Sequence, residues 1–139
     1  MKAKLFVTLI LSFAMIFLLS ACGGRINGID SPVTVDDTEL QITSAKLQDT
    51  IDIGTQTLRP SSSGDTILSV TASSSKENPK LEVSVTDNNG RSDTPSVTQS
   101  SSGDGKTSVT WFIGVSKAAD SFTFHLPGDI AVPLDSLLK

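Results

Sequence analysis

The 139-residue sequence predicts an all-β fold, an antiparallel β-sandwich of about seven or eight strands that follows a signal-peptide helix. Three observations carry this. Apolar residues recur at every second position in short runs, the period of a strand with one buried face. Clusters rich in Gly, Pro, Asn, Asp and Ser separate those runs at intervals near ten residues. Beyond the leader, no apolar pattern holds a 3.6-residue spacing over three turns, as a packed helix would require.

The chain opens with Met-Lys-Ala-Lys, a short cationic start, and then carries no charge from Leu5 to Leu19. A positive n-region, an apolar h-region and small residues before a cut site describe a secretory signal peptide. The uncharged run is short of the roughly 20 residues that a permanent membrane-spanning helix needs. It ends in Leu19-Ser20-Ala21-Cys22, which resembles the lipobox of bacterial lipoproteins. That resemblance implies diacylglycerol on the Cys22 sulfur, palmitate-type acyl chains, and cleavage before Cys22. The expected organisation is therefore a signal peptide at 1–21, a lipidated N-terminus with a short tether at 22–32, and a sandwich domain at 33–139. Buried acyl methylenes contribute about 0.8 kcal/mol each, so two or three chains hold a domain on a bilayer. The expected location is extracytoplasmic, on the cell membrane or, in a Gram-negative host, on the outer membrane, since Gly23 rather than Asp follows the cysteine.

Cleavage changes the composition. From 139 residues, 118 remain, the size of one ordinary domain. Lys2 and Lys4 leave with the leader, so nine basic side chains face fifteen acidic ones, a net of −6. An acidic surface disfavours nucleic acid, whose phosphates are bound through Lys and Arg. Cys22 is the sole cysteine, so no disulfide can form within the domain. Both methionines also lie in the leader, and the remaining aromatics are Trp111, Phe112, Phe122 and Phe124. These must anchor the core.

Each strand follows from its alternation. Leu40 and Ile42 alternate with Glu39, Gln41 and Thr43, and Ile51 and Ile53 follow. A run from Thr66 to Ala72 carries Ile67, Leu68 and Val70. Leu81, Val83 and Val85, between Lys80 and Thr86, read as the cleanest half-buried strand. Val109, Trp111, Ile113 and Val115 form another, and Phe122, Phe124 and Leu126 one more. Turn clusters separate them at Arg59–Gly64, Asp87–Gly90 and Ser100–Gly105, and Asn89-Gly90 is the strongest hairpin signal. The core is expected from Leu81, Val83, Val85, Val109, Trp111, Ile113, Phe122 and Phe124. The tail reads as a turn, an edge strand carrying Pro133, which lacks a ladder donor, and a last apolar segment.

Candidate chemistry is sparse. Gly105-Lys106-Thr107 matches the end of a phosphate-binding loop, but position 100 is Ser where that loop needs Gly, and a strand follows where it needs a helix. Asp87, Asn89 and Asp93 are weak candidates for a cation loop, without EF-hand spacing or a bidentate Glu. Asp36, Asp37 and Glu39 form a second acidic cluster, best read as a loop running into one strand face. His125 falls on the polar face of its strand and has no Gly-x-Ser-x-Gly elbow to serve. No zinc-ligand spacing exists. A carbohydrate platform would have to use Phe112, which points away from Trp111.

From Leu40 to Leu126 the pattern resembles a family of secreted bacterial immunoglobulin-like domains of unknown function, many of them lipoproteins. The resemblance rests on Leu40–Lys46 and on Trp111–Phe124, where a strand, Val115-Ser116-Lys117 and an aromatic strand follow one another. The middle departs, with Ser and Thr where the family often has Asn. The resemblance implies an immunoglobulin-like sandwich and an envelope location, and no site residue. The expected function is a non-catalytic binding or interaction domain, held to the bilayer through acylated Cys22, with an envelope protein as partner and no cofactor. The alternative is an accessory domain for a small ligand or calcium; a hydrolase has less support.

Overall fold

The computed structural model describes residues 26–77, 79–103 and 106–138; the leader, the lipobox and Cys22 lie outside them. Eleven strands form: β1 (Val33–Val35), β2 (Thr38–Gln48), β3 (Ile51–Ile53), β4 (Gln56–Leu58), β5 (Asp65–Ser74), β6 (Ser84–Asp87), β7 (Ser92–Asp93), β8 (Pro95–Gly103), β9 (Lys106–Ser116), β10 (Phe122–Leu126) and β11 (Ile130–Pro133). Among the described residues one short helix, α1 (Asp135–Leu138), follows. A five-stranded sheet runs β1-β2-β5-β9-β8, a four-stranded sheet runs β11-β10-β6-β7, and β3-β4 is a separate hairpin. Every paired strand is antiparallel. The sandwich expected from period-two alternation is the fold observed; of its four strands of three residues or fewer, alternation marked only β3, at Ile51 and Ile53.

The core lies between the two sheets. Trp111 of β9 is 2% exposed and packs on Phe124 of β10, their ring centroids 5.2 Å apart at 47°. Tilted pairs of this kind gain about 0.5–1.5 kcal/mol beyond their buried area. Val109, Ile113, Leu68, Val70, Leu40, Val85, Phe122, Val132 and Leu134 complete the same cluster. Of the expected core, Leu81 is corrected: it is half-buried and packs against the cluster from outside.

The strand expected over Lys80–Thr86 begins only at Ser84. The Leu81 N–H bonds the Pro79 carbonyl, a three-residue turn that breaks the extended line before Val83. Val83 is still buried, so its alternation reflected burial without pairing. The Ser100–Gly105 cluster is a second correction, because Ser100–Gly103 is strand, the end of β8. Phe112 is a third. It points away from Trp111, but it is 6% exposed and offers no platform. With Ile67 it sits on the outer face of the sheet, opposite the side that carries Leu68 and Ile113.

Asp36 and Asp37 both adopt the left-handed region, at φ 46° and 61°, between β1 and β2. Two successive positive φ values make the two-residue turn whose twist suits a hairpin, and Asp tolerates them. The second acidic cluster is thus a turn leading into the first residues of β2.

β2 carries a bulge at Thr43, where the register with β5 shifts between Ile42 and Ser44. The extra residue switches the strand's parity. Leu40 and Ile42 face the core before it, and Ala45 faces the core after it. Leu47 keeps that new parity opposite Leu68 but runs past the cover, at 43% exposed.

Candidate functional site

The two edges of the five-stranded sheet are finished differently. At the β2 edge, β1 pairs with Thr38–Leu40. Beyond β1 the Ile42 N–H donates to the Gly28 carbonyl at 2.6 Å, and the Gln41 side-chain amide donates to the Ile29 carbonyl at 2.8 Å. These contacts come from a folded loop, Ile26–Ser31, closed by a 2.8 Å bond from the Gly28 N–H to the Ser31 carbonyl. Gly28 stands at φ 95°, and a Cβ there would lie 2.8 Å from a Val132 methyl of β11. Only glycine fits that approach, which carries the loop across from one sheet to the other. Of the short tether expected over 22–32, residues 22–25 lie outside the described residues, and from Ile26 onward the chain is docked, with Ile26 and Ile29 against the core. Further along, α1 lies against β2, and Leu137 and Leu138 line a shallow groove with Thr43–Gln48.

At the other edge, β8 pairs with β9 alone. Its sequence, Pro-Ser-Val-Thr-Gln-Ser-Ser-Ser-Gly, holds no charge, and Thr98–Gly103 are all exposed. Among the described residues its backbone makes no hydrogen bond outside the β9 ladder. In an antiparallel ladder, alternate residues of an edge strand turn their N–H and C=O outward. Thr98 and Ser100 register with Trp111 and Val109, so they stand on the core side of the sheet, yet the four-stranded sheet does not reach over them. There they line an open groove of about 500 Å³ with Pro79, Lys80, Leu81, Glu82 and Trp111.

Arg91, in the β6-β7 turn, ties the two sheets at one end. Its Nη1 and Nη2 donate to the two carboxylate oxygens of Asp65 at 2.8 and 2.9 Å, and its Nε lies 2.9 Å from Asp93. The hydrogen bonds from Arg91 hold the Asp65 carboxyl below its ordinary value of 3.8 and raise the guanidinium further. Nothing in the sequence marked this clamp. Arg91 follows Asn89-Gly90 and reads as an ordinary turn residue, and Asp65 lies 26 positions away.

The three cation candidates are placed around this clamp. Asp87 Oδ1 accepts from the Asn89 and Arg91 N–H groups, the usual role of Asp in a turn. Its Oδ2 is buried with no partner among the described residues. Asn89 is exposed, and Asp93 is engaged by Arg91. The guanidinium occupies the position between strands where a cation would have to compete. No group of three or more His, Cys, Asp or Glu side chains converges among the described residues.

His125 is half-buried on the outer face of the four-stranded sheet, and its Nε2 lies 2.7 Å from Thr86 Oγ1 across the β6-β10 pair. Cross-strand hydrogen bonds of this kind support a sheet. A nucleophile–base pair also needs a third group to orient the base, and no such hydrogen bond to His125 occurs among the described residues. Lys106 and Thr107 open β9, so the Gly-Lys-Thr stretch leads into a strand.

A crystal structure of an uncharacterised β-sandwich protein from Clostridium difficile 630 is similar to this chain, with a TM-score of 0.53 and 10% identity over 76% of this chain and 89% of that one. At that identity the likeness is one of fold. No family model and no curated protein matches the chain.

Proposed function

We propose that this chain is an extracytoplasmic lipoprotein whose β-sandwich performs no chemistry and binds an extended segment of an envelope protein along β8. The observation that carries the reading is the unequal finish of one sheet: β8 offers an uncharged, unpaired edge beside a groove, while the β2 edge is closed. An added strand gains main-chain hydrogen bonds along β8, and every second side chain of it enters a pocket beside Leu81 and Trp111. That geometry favours a segment alternating aliphatic and small polar residues. The anchor supports the same reading. A lipidated Cys22 would lie at most about 14 Å from Ile26 along an extended chain, on the β2 side. β8 lies three strand spacings away, about 14 Å, and would remain open to a partner.

The test is photo-crosslinking from position 99, exposed on the same strand, in the full-length chain, in intact membranes. The reading expects one stoichiometric adduct, with crosslinks in an extended segment of the partner, lost in Thr98→Lys/Ser100→Lys and in Cys22→Ser. An adduct between two copies of this chain would replace the envelope partner with self-association. Labelling that is unchanged by the two lysines would overturn the β8 site.

A further inference from the structure

We infer that the apolar strip formed by Leu47, Leu137 and Leu138 rests on the lipid bilayer, so that the domain lies with its β2 edge toward the membrane. Leu47 is the exposed large hydrophobic residue among those described, at 43%, and it lines one groove with Leu137 and Leu138 of α1. The bulge at Thr43 is what turns Leu47 onto this side, next to the helix. The occupant is argued from the chain that precedes the folded loop. This rests on the lipid-anchor reading above: with Cys22 acylated, four peptide links separate the bilayer surface from Ile26. The loop that Ile26 opens is held on Gln41 and Ile42 of the same strand that carries Leu47. Five residues of strand, about 17 Å, separate Ile42 from Leu47. The anchor holds Ile26 within about 14 Å of the bilayer surface, and β2 lying along that surface brings Leu47 onto it.

The charges around the strip suit such a contact. Lys46 lies beside it, Asp49 is paired with Lys117 at 3.5 Å, and Asp135 opens α1 and lies 3.4 Å from the Phe122 N–H. The balance is close to neutral, so anionic headgroups meet no net repulsion despite the acidic chain. Apolar side chains at the headgroup boundary add binding in proportion to the area they bury. The anchor and the strip together would then fix an orientation that acyl chains alone leave free.

The lone native cysteine makes the test clean, because acylation removes its thiol. The full chain carrying Leu47→Cys or Ser101→Cys is expressed in a lipoprotein-processing host. The purified protein is placed in phosphatidylethanolamine/phosphatidylglycerol vesicles and labelled with an environment-sensitive fluorophore. Mass spectrometry of the N-terminal peptide reports acylation of Cys22 in the same samples. The inference expects acylated Cys22, blue-shifted emission at position 47 that brominated lipid quenches, and neither effect at position 101. Acylated Cys22 with position 47 as water-exposed as position 101 overturns the orientation and leaves the anchor intact. An unmodified Cys22 overturns both.

Discussion

Along the β2 edge, the loop Ile26–Ser31, the short strand β1 and the helix α1 are laid in series against one eleven-residue strand. Along the β8 edge, nine residues of the same sheet have neighbours on one side only. Unpaired edges template association, and proteins ordinarily blunt them with charge, proline, bulges or a cover. Here one edge uses a cover, and the other has a proline and a bulge confined to its first residues, at Pro95–Val97. The rest is Thr, Gln, Ser and Gly. The difference teaches that the sheet's closed side serves the fold, and its open side is the surface on which the proposed partner strand would bind.

Trp111 lies under the open groove and in the core at once. Trp111→Ala should cost about 3–5 kcal/mol, read as a fall in the urea midpoint; a midpoint near that of the parent would place the ring outside the core. At the closed edge, Gly28→Ala forces a side chain into a left-handed position against Val132, and should cost about 1–3 kcal/mol. Exchange of the Ile42 amide would speed up in that variant if the loop is what covers β2. The Arg91 clamp gives a smaller effect, present in full at neutral pH and lost in acid. Asp65 titrates below its ordinary value of 3.8 in the fold, so the stability it contributes is complete above that pH and is lost as the pH falls through the folded value. Thermal melts from neutral to acid pH should show Arg91→Gln with a flatter acid limb than the parent; parallel limbs would mean that the ion pair is not formed. Smallest of all, Thr98→Lys and Ser100→Lys should each shift stability by no more than about 0.5 kcal/mol, because both side chains are exposed. A larger loss in urea would show that the edge is part of the fold.

The sequence made the closed, two-layered part of the molecule legible and the open part not. Val109-Trp111-Ile113-Val115 and Phe122-Phe124-Leu126 alternate because each strand has one face in the core. β8 has almost no core face, so its residues carry no alternation, and four of them read as a turn. The bulge at Thr43 hid the second half of β2 by switching parity in mid-strand. Leu81 and Val83 misled in the opposite sense, since burial alone produced a strand-like pattern where no ladder forms. Asn89-Gly90 marked the β6-β7 hairpin correctly, and Gly90 stands there at φ 87°. Arg91 beside it was silent, because an ion pair between distant positions leaves no local period. The docked loop over Ile26–Ser31 was missed for a related reason: its glycine reads as flexibility until the close approach of Val132 is seen.

The account depends most on the contrast between the edges, and amide hydrogen exchange on the full chain tests it directly. With the isolated protein, the account predicts slow exchange at Leu40–Ser44 and fast exchange at alternate amides from Val97 to Ser102. In native membranes those fast amides should become protected, while Leu40–Ser44 stays unchanged. Uniform protection along β8 in the isolated protein would mean that its edge is already covered, and would contradict the proposal that a partner strand binds there.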